Sequence, residues 1–185
     1  MQLKYCCFKL LSSFPHRTIR NFSSTVMAQV KVGDKLPAGE LYEDSPANKI
    51  NINDVCNNKK IVIFGVPGAF TPGCSKTHLP GYVNNSDKIK SENGVDEIIC
   101  VSVNDPFVMS AWAKEHNAAG KVRLLADPAA SFVKALDLTV NLPPLGGLRS
   151  KRFSMIVKNN EIVELNVEPD GTGLSCSLAE KLGGK

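Results

Sequence analysis

The stretch IVIFGVPGAFTPGCSKTHL, residues 61–79, places a cysteine between a predicted strand and a predicted helix. Residues 61–66 form a short apolar run rich in β-branched side chains, which is typical of a buried central strand. Residues 75–79 begin a helix, and the loop between carries prolines and glycines that fix the backbone and leave room for a small ligand. Because the free N–H groups and the dipole of a helix N-terminus favour an anion, Cys74 is predicted to be a reactive thiolate.

Strand and helix patterns alternate along the rest of the chain. Buried strands are predicted at residues 96–103 and 122–126, and an Asp-Pro pair, typical of a helix start, follows each of them. The helix after Cys74 is predicted to run to about residue 92, with a kink near Pro80. Other predicted elements are short strands at 41–43 and 49–52, a loop over 139–151, a hairpin over 152–167 and a short last helix. This order predicts an α/β fold in which helices flank a central mixed sheet.

The basic excess of the chain is confined to residues 1–26. The sequence has 22 basic and 18 acidic residues, and its formal charge is +4. Removing Lys4, Lys9, Arg17 and Arg20 from the 22 basic residues leaves 18, equal to the 18 acidic ones. No basic stripe interleaved with aromatic side chains is present, so no nucleic-acid partner is expected. No apolar run approaches the length that spans a bilayer, so no membrane partner is expected.

Residues 1–26 have the composition of a mitochondrial transit peptide. They combine basic residues with clustered serines, and no acidic residue occurs before Asp34. A disordered basic tail is the alternative interpretation. Met27 is a candidate alternative start, which would give a cytoplasmic form without this leader. The ending LGGK, residues 182–185, differs from an S-K-L-like address and argues against a peroxisomal pool.

The cysteines indicate reactive rather than structural sulfur chemistry. The six of them are Cys6, Cys7, Cys56, Cys74, Cys100 and Cys176. They form no C-x-x-C pair, which disfavours a zinc knuckle or a dithiol motif and is typical of a reducing compartment. Cys56 is interpreted as incidental, and Cys100, inside the apolar run 98–103, as a small core residue.

Pro67, Thr71 and Cys74 form the pattern P-x-x-x-T-x-x-C, which resembles the active-site signature of the peroxiredoxins. Four longer blocks resemble the peroxiredoxin-5 group of that family, at residues 65–81, 121–128, 151–155 and 166–174. The resemblance implies a thioredoxin-like fold for residues 27–185. It also implies a thiol peroxidase of the atypical two-cysteine type, which uses neither a metal nor a prosthetic group.

The resemblance assigns roles to individual residues. It implies that Cys74 is the peroxidatic cysteine, which peroxide oxidises to a sulfenic acid. Cys176 is the implied resolving cysteine, which condenses with that sulfenic acid in an intramolecular disulfide. The family's arginine beside the thiolate falls at Arg152. Hydrogen peroxide and organic (alkyl) hydroperoxides are the implied substrates, thioredoxin is the implied reductant, and a homodimer is the implied assembly.

Ionisation of the thiol supplies only part of the acceleration that this reaction needs. A thiol with a pKa near 8.5 is about 3% ionised at pH 7, so full ionisation gains at most roughly thirtyfold. Further acceleration requires donors aimed at the peroxide oxygens. Thr71 offers a hydroxyl, Gly73 and Cys74 offer backbone N–H groups, and Pro67 shields the sulfur from water. His78 is expected to be a surface or capping residue, because this mechanism needs no histidine.

Two other functions would use the same thiol. A cysteine phosphatase or hydrolase is disfavoured, because residues 75–81 lack a phosphate-binding arginine and only His116 follows His78 as a candidate base. A non-enzymatic redox sensor stays open as the alternative. A peroxidase assay with a recycling reductant separates it from an enzyme, since a sensor turns over once.

Overall fold

The computed structural model describes residues 29–183, and most of its strands join one mixed sheet. The strands are β1 Glu40–Tyr42, β2 Lys49–Asn51, β3 Lys60–Val66, β4 Glu97–Ser102, β5 Arg123–Ala126, β6 Thr139–Leu142, β7 Gly147–Ser150, β8 Phe153–Lys158 and β9 Glu161–Val167. The main sheet has the order β2-β1-β5-β4-β3-β8-β9, and β6 pairs with β7 separately. β3 is parallel to β4 and antiparallel to β8. The mixed sheet expected from the sequence is therefore confirmed, while the predicted transit peptide and Met27 lie outside the described residues.

Helices cover both faces of the main sheet. They are α1 Ile52–Cys56, a π-helical turn Cys74–His78, α2 Leu79–Asn84, α3 Ser86–Asn93, α4 Pro106–Glu115, α5 Ser131–Ala135 and the 3-10 turns Pro143–Leu145 and Ala179–Lys181. Alternate side chains of β3 enter two separate cores, Val62 and Phe64 on one face and Ile61 and Ile63 on the other. Within residues 29–183 no helix is both long and apolar enough to cross a bilayer.

The start of α4 follows its sequence signal. The Asp105 carboxylate accepts hydrogen bonds from the N–H groups of Phe107 and Val108, both at 3.0 Å, and Pro106 occupies the first turn. Trp112 on this helix is fully buried in the core that contains Phe64. The Asp-Pro interpretation is therefore confirmed at the start of α4.

The helix after Cys74 continues past Pro80. Its hydrogen-bond pattern is irregular directly before that proline, because the Leu79 N–H donates to the Cys74 carbonyl one residue further back than in an α-helix. The helix is interrupted at Asn85, between α2 and α3, and α3 ends at Gly94 with a left-handed φ of 59°.

Two further elements differ from the sequence expectation. Residues 139–151 are a β6–β7 hairpin rather than a loop, turning through Gly146 and Gly147 at φ of 90° and 104°. α5 begins at Ser131 instead of Pro128. The Asp127 carboxylate caps the N-terminus of this helix, because it accepts hydrogen bonds from the Ser131 N–H at 2.8 Å and the Val133 N–H at 3.0 Å. The predicted last helix is the 3-10 turn Ala179–Lys181.

Candidate active site

Cys74 lies in the first helical turn after the loop that leaves β3. The loop turns at Phe70, whose φ of 62° is left-handed. The Thr71 hydroxyl donates to the Gly68 carbonyl at 2.9 Å, and the Ser75 N–H donates to the Thr71 carbonyl at 2.9 Å. Pro67 is buried at the end of β3. The strand, fixed loop and helix start expected around Cys74 are all present.

The Cys74 thiol is buried beside an arginine. Its Sγ lies 3.2 Å from Arg152 Nη1, and the side chains of Cys74 and Arg152 are 0% and 4% exposed. Arg152 directly precedes β8, the antiparallel neighbour of β3. A Cβ at Gly73 would lie 3.3 Å from Arg152 Nη2, so glycine leaves the space in which the guanidinium approaches. The arrangement pairs a buried sulfur with a permanent positive charge, which stabilises a thiolate.

Backbone groups of residues 168–172 hold Arg152 in place through hydrogen bonds. Its Nε donates to the Thr172 carbonyl at 3.1 Å, and its own N–H donates to the Gly171 carbonyl at 2.7 Å. Its carbonyl accepts from the Glu168 N–H at 3.0 Å. Arg152 therefore joins the Cys74 turn to the segment that carries Cys176.

The prediction that His78 is a surface or capping residue is wrong. Its side chain is fully buried, with Nδ1 3.2 Å from Arg152 Nη1 and Nε2 3.0 Å from the Ser177 carbonyl. Burial first, and then the charge of Arg152, lower the pKa of His78 to about 4. The sequence signal for a place beside the thiol was the spacing of four residues between Cys74 and His78, because this spacing puts two side chains on the same face of a helix.

Cys176 is a half-buried free thiol in a segment held by one carboxylate. The Glu168 side chain accepts from the N–H groups of Ser175, Cys176 and Ser177 at 2.8, 2.9 and 3.0 Å. It also accepts from the hydroxyls of Ser175 and Ser177. Burial opposes its charge, but these hydrogen bonds prevail and lower the pKa of Glu168 to about 2. Sequence reasoning missed Glu168, whose one signal was its place in the block 166–174.

Burial and then the Glu168 charge raise the pKa of Cys176. The other two cysteines of the described chain are buried in the cores. Cys100 on β4 is confirmed as a core residue, and burial, followed by the charge of Cys74, raises its pKa. Cys56 is fully buried at the end of α1, and burial raises its pKa to about 12. The raised pKa values mean a low thiolate content for Cys56, Cys100 and Cys176, whereas the Cys74 sulfur lies 3.2 Å from a guanidinium nitrogen.

No group of three His, Cys, Asp or Glu side chains able to hold a metal ion occurs among residues 29–183. The polar groups around Cys74 are instead hydrogen-bond donors, from Arg152 and from the backbone of the first helical turn. Such an arrangement can stabilise a thiolate and an oxygen that gains negative charge as a bond to it breaks.

Three comparisons with known proteins agree with this geometry. The Redoxin family profile matches residues 31–182. Peroxiredoxin-2C of Oryza sativa subsp. japonica is 44% identical over 160 residues, which are 84% of this chain and 98% of the relative. Peroxiredoxin-2D of Arabidopsis thaliana is 40% identical over the same share of each chain.

Solved structures show the same fold. Reduced Prx3 of Vibrio vulnificus in complex with H2O2 is 42% identical, with a TM-score of 0.76 over 83% of this chain and 93% of that one. Peroxiredoxin 5 of Alvinella pompejana is 42% identical, with a TM-score of 0.71 over 80% of this chain and 95% of that one. The thioredoxin-like fold implied by the sequence is confirmed. The chain therefore belongs to the peroxiredoxin family, whose members are peroxidases that reduce peroxides with a cysteine thiol.

Proposed function

We propose that Cys74 is the peroxidatic cysteine and that this chain reduces hydrogen peroxide and organic hydroperoxides. The observation that carries the proposal is the 3.2 Å distance between Arg152 Nη1 and Cys74 Sγ, both within the buried interior. A guanidinium at that distance favours the thiolate, which is the nucleophilic form of cysteine. It also leaves further N–H donors on the same planar group for a bound peroxide.

In the first step the Cys74 thiolate attacks one peroxide oxygen. A sulfur–oxygen bond forms, the oxygen–oxygen bond breaks, and the second oxygen leaves as hydroxide or alkoxide, which takes a proton from water. The sulfur is oxidised to a sulfenic acid and the peroxide is reduced to water or an alcohol. Negative charge grows on the leaving oxygen, so the donors of Arg152 and the N–H groups of Gly73 and Cys74 accelerate the step.

Thr71 and Pro67 prepare the space around the sulfur. The Thr71 hydroxyl donates to the Gly68 carbonyl at 2.9 Å, so its oxygen accepts a hydrogen bond from the peroxide O–H. Pro67 is buried and shields the thiolate from water. The peroxide is thereby held by an acceptor at one oxygen and by donors at the other, which orients the oxygen–oxygen bond for attack.

In the second step we assign Cys176 as the resolving cysteine. Its sulfur attacks the sulfenic sulfur of Cys74, a disulfide forms, the sulfur–oxygen bond breaks and water leaves. Burial and the Glu168 charge raise the pKa of Cys176, so it is the less reactive thiol towards peroxide itself. Cys74 is fully buried and Cys176 is a half-buried free thiol, and we propose that the Cys74 turn, the Cys176 segment or both move to bring their Cα atoms within the about 7 Å that a disulfide requires.

Peroxiredoxins act on peroxides and are reduced by thioredoxin-type partners. We infer that thioredoxin reduces the Cys74–Cys176 disulfide in this chain. A similar protein from Vibrio vulnificus was solved with H2O2, which supports hydrogen peroxide as one oxidant. The side chains of Phe70 and Phe107, 49% and 62% exposed, offer apolar surface that a second copy would cover, which supports a homodimer.

We also propose that residues 1–26 direct the chain to mitochondria and that a start at Met27 gives a cytoplasmic form. The support is the composition of the leader, basic and serine-rich with no acid before Asp34. A relative in Arabidopsis thaliana, Peroxiredoxin-2E, is chloroplastic, so organelle forms occur within the family.

A steady-state peroxidase assay tests the proposed function. The chain is supplied with thioredoxin, thioredoxin reductase and NADPH, and hydrogen peroxide, an alkyl hydroperoxide and peroxynitrite are compared at equal concentration. We expect many turnovers per chain with thioredoxin and few with glutathione. Cys74→Ser abolishes turnover, while Cys100→Ser, which replaces a core thiol, retains it. Consumption that stops at one equivalent per chain would identify a redox sensor instead.

A further inference from the structure

The Ser177 carbonyl connects the helical turn of Cys74 with the segment of Cys176. This carbonyl accepts hydrogen bonds from His78 Nε2 at 3.0 Å and from the Tyr82 hydroxyl at 2.7 Å. His78 is the last residue of the π-helical turn that begins at Cys74, whereas Tyr82 lies in α2. Ser177 directly follows Cys176. The segment that carries Cys176 is therefore hydrogen-bonded to the turn that carries Cys74 and to the helix that follows it.

The other ring nitrogen of His78, Nδ1, contacts Arg152, which in turn contacts the sulfur of Cys74. Arg152 Nη1 lies 3.2 Å from His78 Nδ1 and 3.2 Å from Cys74 Sγ. A guanidinium only donates and a carbonyl only accepts, so Nδ1 accepts from Arg152 and the Nε2 proton is donated to Ser177. One imidazole, in a single tautomer, thus spans the guanidinium beside Cys74 and the carbonyl beside Cys176. Burial keeps it neutral at neutral pH, since its pKa is lowered to about 4.

We propose that His78 is a positioning residue that acts on both steps of the cycle, orienting Arg152 through Nδ1 and holding the Cys176 segment through Nε2. The proposal rests on the roles assigned above to Cys74 and Cys176. While the turn is folded, Arg152 is aimed at the sulfur and Ser177 is held in place. Because Cys74 is fully buried, its sulfenic acid reaches Cys176 only when the turn unwinds. Unwinding carries His78 away from Ser177 and so loosens the Cys176 segment, which then keeps its contacts with Tyr82 and Glu168.

Substitutions at His78 separate the two contacts. The amide of an asparagine reaches the level of Nδ1, so His78→Asn keeps an acceptor for Arg152 and loses the donor to Ser177. The amide of a glutamine reaches the level of Nε2, so His78→Gln keeps the donor and loses the acceptor. His78→Phe loses both contacts and fills the same space. Tyr82→Phe is the matched control, because it removes a hydrogen bond to the same carbonyl without touching Arg152.

The single tryptophan reports the opening of the turn. Trp112 Nε1 donates to Ser75 Oγ at 3.0 Å, in the turn that carries Cys74, so unwinding changes the tryptophan environment. The full chain is mixed with excess hydrogen peroxide and fluorescence is followed. The first phase, sulfenic acid formation, depends on peroxide concentration, and the second phase, unwinding with disulfide formation, does not. Samples quenched over time and analysed by mass spectrometry identify the species of each phase.

The proposal predicts a different pattern for each variant. His78→Gln slows the first phase about fivefold, the effect of one lost hydrogen bond, and leaves the second at the wild-type rate. His78→Asn leaves the first phase unchanged and accelerates the second about fivefold. His78→Phe shows both changes, and Tyr82→Phe shows only the acceleration of the second phase. Free energies of unfolding are measured for every variant, and the Asn and Gln variants alone decide the matter if the Phe variant does not fold.

Three outcomes would overturn the proposal. If the Asn and Gln variants alter both phases alike, His78 has only a structural role. If His78→Asn and His78→Phe leave the second phase unchanged, the Ser177 contact does not hold the segment. If the wild type forms no Cys74–Cys176 disulfide and Cys176→Ser leaves its traces unaltered, the assigned role of Cys176 fails, and the coupling fails with it. The first two outcomes leave the peroxidase function standing.

Discussion

Arg152 Nη1 lies 3.2 Å from Cys74 Sγ, although 78 residues separate the two side chains in sequence. We expect Arg152→Ala to slow sulfenic acid formation by about 100- to 1,000-fold, because the thiolate loses its counter-charge and the leaving oxygen loses its donors. Alkylation of Cys74 by iodoacetamide needs the thiolate but no donors for a leaving peroxide oxygen, so at alkaline pH it should slow far less. Stopped-flow measurements of both reactions test this difference.

Arg123→Ala is the matched control for that prediction. Arg123 is a half-buried arginine that pairs with Glu43 at 2.8 Å and with Glu97 at 3.0 Å, and it does not contact the sulfur. Its removal should leave the peroxide rate within about twofold of wild type, since the surface ion pairs that it loses stabilise a fold only weakly. Equal losses of peroxide and alkylation rates in Arg152→Ala would mean that Arg152 acts only as a charge.

Cys176→Ser should separate the two steps of the cycle. The variant retains every group proposed for the first step, so one equivalent of peroxide per chain is consumed at nearly the wild-type rate. Thioredoxin-linked turnover falls by at least about tenfold, because the sulfenic acid has no partner and proceeds to sulfinic acid. Mass spectrometry of the unreduced digest should give a Cys74–Cys176 peptide in the wild type, from a band of monomer size.

The remaining cysteines serve as controls for this assignment. Cys56 and Cys100 are fully buried, so replacing either with serine should retain turnover and lower the free energy of unfolding by about 1–3 kcal/mol. A disulfide between two chains, or one between Cys74 and Cys100, would contradict the resolving role of Cys176.

Glu168 makes the stability of the fold depend on acidity. Its pKa is about 2 in the folded chain and ordinarily 4.5, so its contribution is complete above pH 4.5 and is lost as the pH falls towards 2. That contribution amounts to about 3 kcal/mol. We expect Glu168→Gln to lower the free energy of unfolding at pH 7 by about this amount and to flatten its decline between pH 4.5 and 2. Urea unfolding across that pH range measures both effects.

Glu92→Gln provides the comparison for Glu168. Glu92 is an exposed carboxylate near the end of α3, and its one ion pair, with Lys88, has a separation of 4.0 Å. This substitution should change the free energy of unfolding by less than about 0.5 kcal/mol at every pH. If Glu168→Gln has an effect no larger than this, the hydrogen bonds around Glu168 do not stabilise the segment of Cys176.

The leader offers a test that is independent of the active site. Residues 1–30 fused to a fluorescent protein should enter mitochondria and then be shortened, because their composition is that of a transit peptide. Replacing Arg17 and Arg20 with glutamate should abolish import, since the positive charge of such a peptide drives its recognition. A fusion that stays diffuse in the cytosol would contradict the mitochondrial assignment.

The sequence predicted the parts of the fold whose signals are local. β3, β4 and β5 were expected because each contains an apolar run, and α4 because Asp105 and Pro106 mark its start. The β6–β7 hairpin was missed, because its prolines and glycines over 143–147 are equally typical of an irregular loop. A hairpin depends on pairing between two segments, which a pattern within either segment does not reveal.

The candidate site divides in the same way. Cys74 and Thr71 lie within four residues of each other, so their position between a strand and a helix could be predicted from the local sequence pattern. His78 was misjudged, because its burial depends on Arg152 and Ser177, which lie 74 and 99 residues away. Glu168 was overlooked because a carboxylate followed by Pro169 and Asp170 is typical of an exposed turn. Several of its hydrogen-bond donors are backbone N–H groups, which almost every residue has, so no sequence pattern identifies them.

The pairing of β8 with β3 affects when the Cys74 site is completed during synthesis on the ribosome. Gly65 on β3 is opposite Phe153 on β8, and this register brings Arg152 to the sulfur. A ribosome releases Cys74 well before it has synthesised Arg152, and the two strands then close a long loop, which is a slow event in folding. Until that closure the Cys74 thiol lacks the Arg152 guanidinium. On the roles proposed above, a newly made chain is therefore less open to oxidation of Cys74 during the period before Cys176, which would form the disulfide, has been synthesised.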